Sequence, residues 1–421
     1  MREQEWTIPA QANQAPDIRI LQLDVLRGLA VLGIYLINVI SFGLPNGAYP
    51  FPVLLGQAHE ANIAFWAFSE VFVEGTMRGL FSMLFGASAM VFLSEAKLAS
   101  HGLELVDRYY RRTLLLILFG LIHAYLLLWP FDVLYAYGLF GLFLFPLRKL
   151  TAPTLLVIGS LLLVLGDIEL YRTGPDISTE LSAPVKDEAM ARDRQWYLES
   201  VLTELEDDTN LHRSGYREIF VSQIDDVIDQ QSTYIYNHHI FDIGGMMLLG
   251  MALLKLGILS GRRSLRFYLL LACAGYLIGG IARGYAVYTE LIHGFDITGL
   301  DAGSSVDYDI SRLPVTLGHV GVIGLLCQYA RFDRITNLLA AVGRLALTNY
   351  ILQTVISIFL FFGFGLALFG VFERYELIYV CLGMWALQII FSVRWLKYYK
   401  YGPLEWLWRS LIYGQPQPFR K

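Results

Sequence analysis

LQLDVLRGLAVLGIYLINVISFGL, residues 21–44, carries only two ionisable side chains, Asp24 and Arg27, both near its start. A helix of about 20 apolar residues matches the hydrocarbon thickness of a bilayer. Outward from it, further apolar stretches occupy 76–97, 108–129, 132–147, 152–172, 237–257, 264–292, 314–330, 344–366 and 375–396, separated by polar, often basic loops. So many cannot share one water-soluble core. In lipid only a helix or a closed barrel satisfies every peptide group. The pattern predicts an all-α integral membrane protein of about ten transmembrane helices. ANIAFWAFSEVFVEG (61–75) is apolar but interrupted by Glu70, Glu74 and Gly75. It predicts an interfacial or re-entrant helix that breaks at Gly75 and runs on as the second span.

Composition agrees. Charged residues are 16% of the 421, against about 25% in soluble domains, and mean hydropathy is +0.49. A net charge of −5 gives no reason to propose a nucleic-acid partner. Cys273, Cys327 and Cys381 sit in separate stretches, so no disulfide framework and no metal site is expected. Residues 1–20 are polar and the first apolar run has no small-residue cleavage site after it, so that run reads as a retained signal anchor.

Orientation follows from Lys and Arg in the loops. With the N-terminus inside, the inner ends hold most of the 32 basic residues, including Arg2, Arg19, Arg27, Arg108, Arg111, Arg112, Arg262, Arg331 and Arg409. An even number of spans then places both termini inside. The chain divides into an N-terminal half (1–172: five spans and the helix at 61–75), a long acidic, partly helical extracytoplasmic loop (173–236), and a C-terminal half with a cytoplasmic tail (237–421). The long loop is expected to cap the outer face. A second outer loop, 293–313, carries Asp296, Asp301, Asp307 and Asp309.

An ionisable group inside a bilayer costs about 3 kcal/mol or more, so each is a functional candidate. The expected orientation puts Glu70, Glu74, Arg78, His123, Asp132, Tyr135, Tyr137, His238, His239, Asp242 and His319 in the outer half of the membrane. Their convergence predicts a buried polar pocket. Simpler readings stand beside this one. Glu74 and Arg78, four apart, would neutralise one another. His123 would serve as a helix-to-helix hydrogen bond, Asp132 as an N-cap, and His238 and His239 as solvated interfacial groups. Asp24 and Arg27 are spaced for a local ion pair; alternatively Arg27 faces an anionic donor, which its planar fork suits. GRLALTN (343–349) reads as a close helix contact.

Several motifs carry a resemblance. LDVLRGLAVLGIYLINV (23–39), VEGTMRGLFSMLFGAS (73–88), the run from GLIH (120–123) to DVLYAYG (132–138), GRLALTNYILQ (343–353) and YGPLEWLWRSLIYG (401–414) resemble the YeiB family of bacterial inner-membrane proteins. More distantly the chain is similar to the transmembrane acyltransferase superfamily, which includes the acyltransferase family 3 proteins and heparan-alpha-glucosaminide N-acetyltransferase. That likeness implies a ten-helix core that moves an acyl group from a cytoplasmic donor, acyl-CoA, to an acceptor on the far side, with homodimers in the related group. The lysosomal enzyme's motif has a histidine shortly before the second span. Here FWAFSEVFVEG (65–75) has none, and His59 lies farther upstream.

The expected function is acyl transfer at a bacterial inner membrane to a small-molecule, glycan or lipid acceptor, with no tightly bound cofactor. His123 is the expected base and Asp132 its orienter or a second acid, with Glu74 beside them in the catalytic group. Glu70, Arg78, Tyr135, His238, His239, Asp242 and His319 line the acceptor side, and Arg27 holds the donor. The alternatives are a transporter of a small or lipid-like molecule, or a non-catalytic partner protein whose contact surface is the acidic loop.

Overall fold

A computed structural model describes residues 20–53, 59–173, 188–292 and 308–421. Arg2, Arg19, Asp296, Asp301 and Asp307 lie outside the described residues. Among those described the protein is helical, and the β-type pairing is one isolated bridge, Tyr399 to Arg420. Five helices are long and apolar enough to cross a membrane: α1 (Leu21–Gly43), α7 (Ala152–Thr173), α11 (Leu265–Ile292), α12 (Tyr308–Gln328) and α15 (Leu377–Tyr398). A sixth is the pair α13 (Asp333–Arg344) and α14 (Ala346–Phe361), bent by 76° where they meet. Of the remaining helices, α8 (Glu188–His212) is long but polar, and the others are shorter: α2 (Glu60–Phe72), α3 (Thr76–Phe92), α4 (Glu95–His101), α5 (Leu103–Leu121), α6 (Leu134–Leu147), α9 (Tyr216–Asp229), α10 (Ile240–Lys255) and α16 (Pro403–Tyr413).

The break between α2 and α3 falls at Gly75, as its sequence predicts. Its φ of +66° lies in the left-handed region that glycine enters without a Cβ clash. Two π-helical segments, Ile122–Leu126 and Gln230–His239, interrupt the sequence-derived spans and rotate His123, His238 and His239 relative to a regular helix.

α1 and α10 are wrapped by protein, whereas α7, α11 and α15 leave most of their surface outside. Small residues set the two central crossings. A Cβ on Gly28 would meet the Leu339 carbonyl oxygen at 2.0 Å, and one on Gly343 the Asp24 carbonyl oxygen at 1.9 Å, so α1 and α13 touch backbone to backbone. Gly86 and Gly250 do the same for α3 and α10. The close contact expected of GRLALTN is therefore present.

Three sequence boundaries move. α12 starts at Tyr308, so Asp309 belongs to its first turn and is buried rather than lying on an outer loop. Asp167 of α7 accepts from the Asp309 and Ile310 amides at 2.7 and 3.1 Å and supplies the missing cap. The ninth stretch is preceded by the strongly amphipathic α13, and the tail contains α16. Glu405 of α16 accepts from the Thr348 amide and hydroxyl in the first turn of α14 at 3.0 and 2.5 Å. The Thr348 hydroxyl in turn accepts from the Leu404 amide at 3.1 Å. The two helix starts thus cap each other, and the motifs at 343–353 and 401–414 form one joint.

The helices of the long loop pack on one end of the bundle. His212 lies flat on Phe369 with centroids 4.4 Å apart. The Arg213 Nε donates to the Phe369 carbonyl at 2.8 Å, and Asp208 accepts from the Asn46 amide at 2.9 Å.

Candidate functional site

The expected polar groups gather into two centres rather than one. The first is the turn around His123. The π-helical turn points the ring inward, and the chain returns through Trp129, Pro130 and Phe131 to bring Asp132 beneath it. His123 Nδ1 lies 2.7 Å from Asp132 Oδ1, and Nε2 lies 2.8 Å from the Thr354 hydroxyl on α14. His123 is fully buried and Thr354 nearly so (1% exposed). Tyr350, one turn before Thr354, meets the imidazole edge-on at 5.0 Å. The other Asp132 oxygen accepts from the Tyr135 amide at 2.8 Å, so this carboxylate is both an N-cap and an orienter. Tyr135 contributes that backbone donor. With Asp132 ionised, the neutral imidazole carries its proton on Nδ1 and leaves Nε2 as a base toward the hydroxyl.

Above this turn, a cavity of about 30 Å³ is lined in part by Trp129, Phe131, Asp208, His212, Gln223 and Asp226. That space holds about one water molecule. It lies where the loop helices α8 and α9 meet the 128–131 turn.

The second centre is an ionic lattice at the α2–α3 break. Glu74 does not pair with Arg78. Its carboxylate accepts from the hydroxyls of Tyr49 and Tyr308, the latter at 2.9 Å. Arg78 instead reaches Asp242 on α10 at 2.9 Å. The other Asp242 oxygen receives Arg312, a fully buried arginine of α12 that also pairs with Asp309. Glu70 accepts from Arg283 of α11 at 2.9 Å through its side chain and at 3.0 and 2.8 Å through its carbonyl. Arg374 donates to the carbonyls of Ala48 and Tyr49 and closes the lattice from the α14–α15 connection. Glu70, Glu74, Asp242 and Asp309 thus face Arg78, Arg283, Arg312 and Arg374, a neutral balance that low-dielectric burial favours.

The remaining expected residues stand apart from both centres or at their margins. His239 is buried against the edge of Tyr234, and half-buried His238 meets the same ring at a tilt of 41°. His319 has both nitrogens occupied, Nδ1 with the Tyr276 hydroxyl at 2.8 Å and Nε2 with the Phe72 carbonyl at 2.9 Å; it ties α11, α12 and α2 together. Arg27 forms its expected pair with Asp24 at 2.8 Å and donates to Ser88 at 3.0 Å. Glu74 shares no hydrogen bond or ion pair with His123 or Asp132 among the described residues; the single expected pocket is two separate networks. Sequence reasoning missed Thr354, Tyr49, Tyr308, Arg283, Arg312 and Arg374. Arg283 was legible as a charge inside an apolar span. The spacing of Asp309 and Arg312 would have signalled an early start to α12. Nothing marks Thr354 in its own helix.

Comparison with known proteins places these networks in a family. A family model described as a protein of unknown function (DUF418) matches residues 253–415. The chain is similar to the uncharacterized protein YeiB of Escherichia coli (strain K12), 32% identical over 394 residues that cover 93% of this chain and 96% of that protein. It is 29% identical over 432 residues to the uncharacterized protein YxaH of Bacillus subtilis (strain 168), covering 96% of each. No solved structure matches. With that identity sustained across nearly the full length of both chains, this protein belongs to the YeiB family.

Proposed function

We propose that the protein is a multi-pass enzyme of the bacterial cytoplasmic membrane that transfers an acyl group from a cytoplasmic thioester donor to a hydroxyl-bearing acceptor on the far side. The observation that carries the reading is the buried chain Asp132–His123–Thr354, with contacts of 2.7 and 2.8 Å. Asp132 fixes the imidazole, and His123 Nε2 takes the acceptor hydroxyl's proton, directly once the acceptor displaces Thr354 or through the Thr354 hydroxyl. The acceptor oxygen forms the ester bond as the thioester C–S bond breaks. The proton held by His123 leaves with the thiolate. Acceptor entry is from the cavity beside Trp129, and Arg27 at the opposite end of α1 faces the donor.

Ten passes with both termini inside complete the reading. The six spans of membrane length, together with α3, α5 and its π-helical turn, α6 and α10, supply ten passes. The test is turnover of labelled acyl-CoA by purified protein in nanodiscs, wild type against His123→Ala. Loss of turnover with retained folding is expected; undiminished turnover removes His123 from the mechanism. The ionic lattice at the Gly75 break favours a second reading, transport of a small or lipid-like molecule, because broken helices with buried charge line many transport sites. Flux into proteoliposomes without a covalent product would select it.

A further inference from the structure

The basic run of α5 separates into two kinds of arginine. Arg108 pairs with Glu104, and Arg111 pairs with Asp107 at 2.9 Å, both one helical turn apart on the outer surface of the bundle. Arg112 turns inward. Its guanidinium lies among three rings, 5.6 Å from the centroid of Phe85, 5.5 Å from Phe92 and 5.2 Å from Trp408. Its Nε is buried without a hydrogen-bond partner. Among the described residues no carboxylate and no hydrogen-bond acceptor meets this side chain.

Two more cations share the space. α3 presents Phe85, Ser88 and Phe92 along one face. Arg27 reaches that face through Ser88, at 3.0 Å. Arg409 of α16 lies over the Tyr401 ring at 4.5 Å and also has no acid partner among the described residues. α3 thus carries two of the rings around Arg112 and the Ser88 that Arg27 reaches, and α16 carries the third ring, Trp408, next to Arg409. Among the described residues Asp24 is the one carboxylate paired with any of these three arginines. Aromatic faces offset part of the desolvation of a cation, and an anion among partly buried like charges relieves their repulsion. The oxygens of a phosphate ester match the guanidinium fork.

We infer that Arg112, Arg409 and Arg27 form an anion site, at the end of the bundle that carries α16, for a phosphate-bearing ligand. A soluble nucleotide-type phosphate and a phospholipid headgroup present the same chemistry to it. The inference rests on the acyl-transfer reading for its orientation and its donor side, and not for the site itself.

The test uses the full-length protein in nanodiscs. In zwitterionic lipid, coenzyme A binding is measured by calorimetry for wild type, Arg112→Gln, Arg409→Gln and the exposed control Arg111→Gln. Binding weakened about tenfold by each of the first two, and unchanged by the control, identifies a soluble ligand, about tenfold being the loss of one charge-assisted hydrogen bond. In a second arm, phosphatidylglycerol replaces part of the lipid and the melting temperature is followed. A rise in wild type that the double variant lacks identifies a lipid headgroup. Neither response, or equal responses in all variants, overturns the site. Arg112→Lys keeps the charge without the fork and guards against misfolding; it is expected to fold as wild type and to recover only part of the binding. A protein that binds coenzyme A but transfers no acyl group keeps this site and loses the transfer reading. Transfer that is unaltered in the double variant, with neither binding response, keeps the transfer reading and loses the site.

Discussion

Arg78 passes over Glu74, one helical turn before it, and pairs with Asp242 of α10 at 2.9 Å. The local pairing would have closed the charge across the Gly75 break alone. The pairing that forms instead ties the α2–α3 break to α10, and through Arg312 and Asp309 to α12. Asp242, Asp309 and Arg312 are buried and paired with one another, so the energetics of this part of the lattice follow from what one removal leaves behind.

Arg312→Met leaves Asp242 and Asp309 facing each other with one fewer cation. The expected cost is about 3–5 kcal/mol, the usual penalty for stranding a buried charge. The double change Arg312→Met with Asp309→Asn restores the balance and is expected to recover a substantial part of it. Thermal unfolding of the single and double variants in one detergent measures the difference. Equal losses in both would mean that charge balance does not govern the lattice.

Asp132→Asn retains the shape of the His123 turn and its cap to the Tyr135 amide. It removes the charge that holds the imidazole proton on Nδ1. Transfer is expected to fall about a hundredfold or more, carried by the maximal rate rather than by the Michaelis constant. Steady-state kinetics with labelled acyl-CoA separates the two.

Thr354→Val exchanges a hydroxyl for a methyl of similar volume and leaves Nε2 of His123 without its partner. The expected loss of stability is about 1–3 kcal/mol. A change within error in thermal unfolding would show that another hydroxyl, or water, takes its place.

Gly343→Ala places a methyl 1.9 Å from the Asp24 carbonyl oxygen. α1 and α13 must separate. An overpacking loss of about 1–3 kcal/mol is the minimum expected, with faster tryptic cleavage at Arg344 than in wild type. Gly383→Ala, whose new Cβ meets nothing within 4 Å, is the control.

Asp226, on α9, has its carboxyl pushed above the usual range, first by burial and then by Asp208, Asp225 and Asp229. A raised carboxyl pKa means that folding disfavours the ionised form. The penalty is present above the folded pKa and fades as pH falls below the unfolded value. Asp226→Asn is therefore expected to raise the melting temperature at pH 7, with the gain shrinking toward pH 4. A gain that is constant with pH would argue against a charge effect.

Much of the cap and of the first centre could be read from residue order. His123 and Asp132 are separated by one turn, so their meeting depends on local geometry. The long loop is partly helical, as its sequence predicts, and Gly75 breaks the chain where its neighbours require it. The roles of the other histidines were less legible. Histidines that look alike in sequence part company once packed: His319 is a helix tie with both nitrogens used, while His123 keeps a base-like nitrogen toward a hydroxyl.

By itself, the sequence determined that this chain is helical and apolar enough for a membrane, because peptide groups in lipid must bond within their own segment. It also determined the local pairs, Asp24 with Arg27 on one helical turn and His123 with Asp132 across a tight return of the chain, because groups so close in sequence need no distant element to meet. Only the tertiary structure decided that Arg78 serves Asp242, that Thr354 faces His123, and that Arg112 lies among the rings of Phe85, Phe92 and Trp408. Those choices belong to side chains 15 Å or more of helix apart in the chain, about 10 residues at 1.5 Å each, and only packing brings such groups within reach.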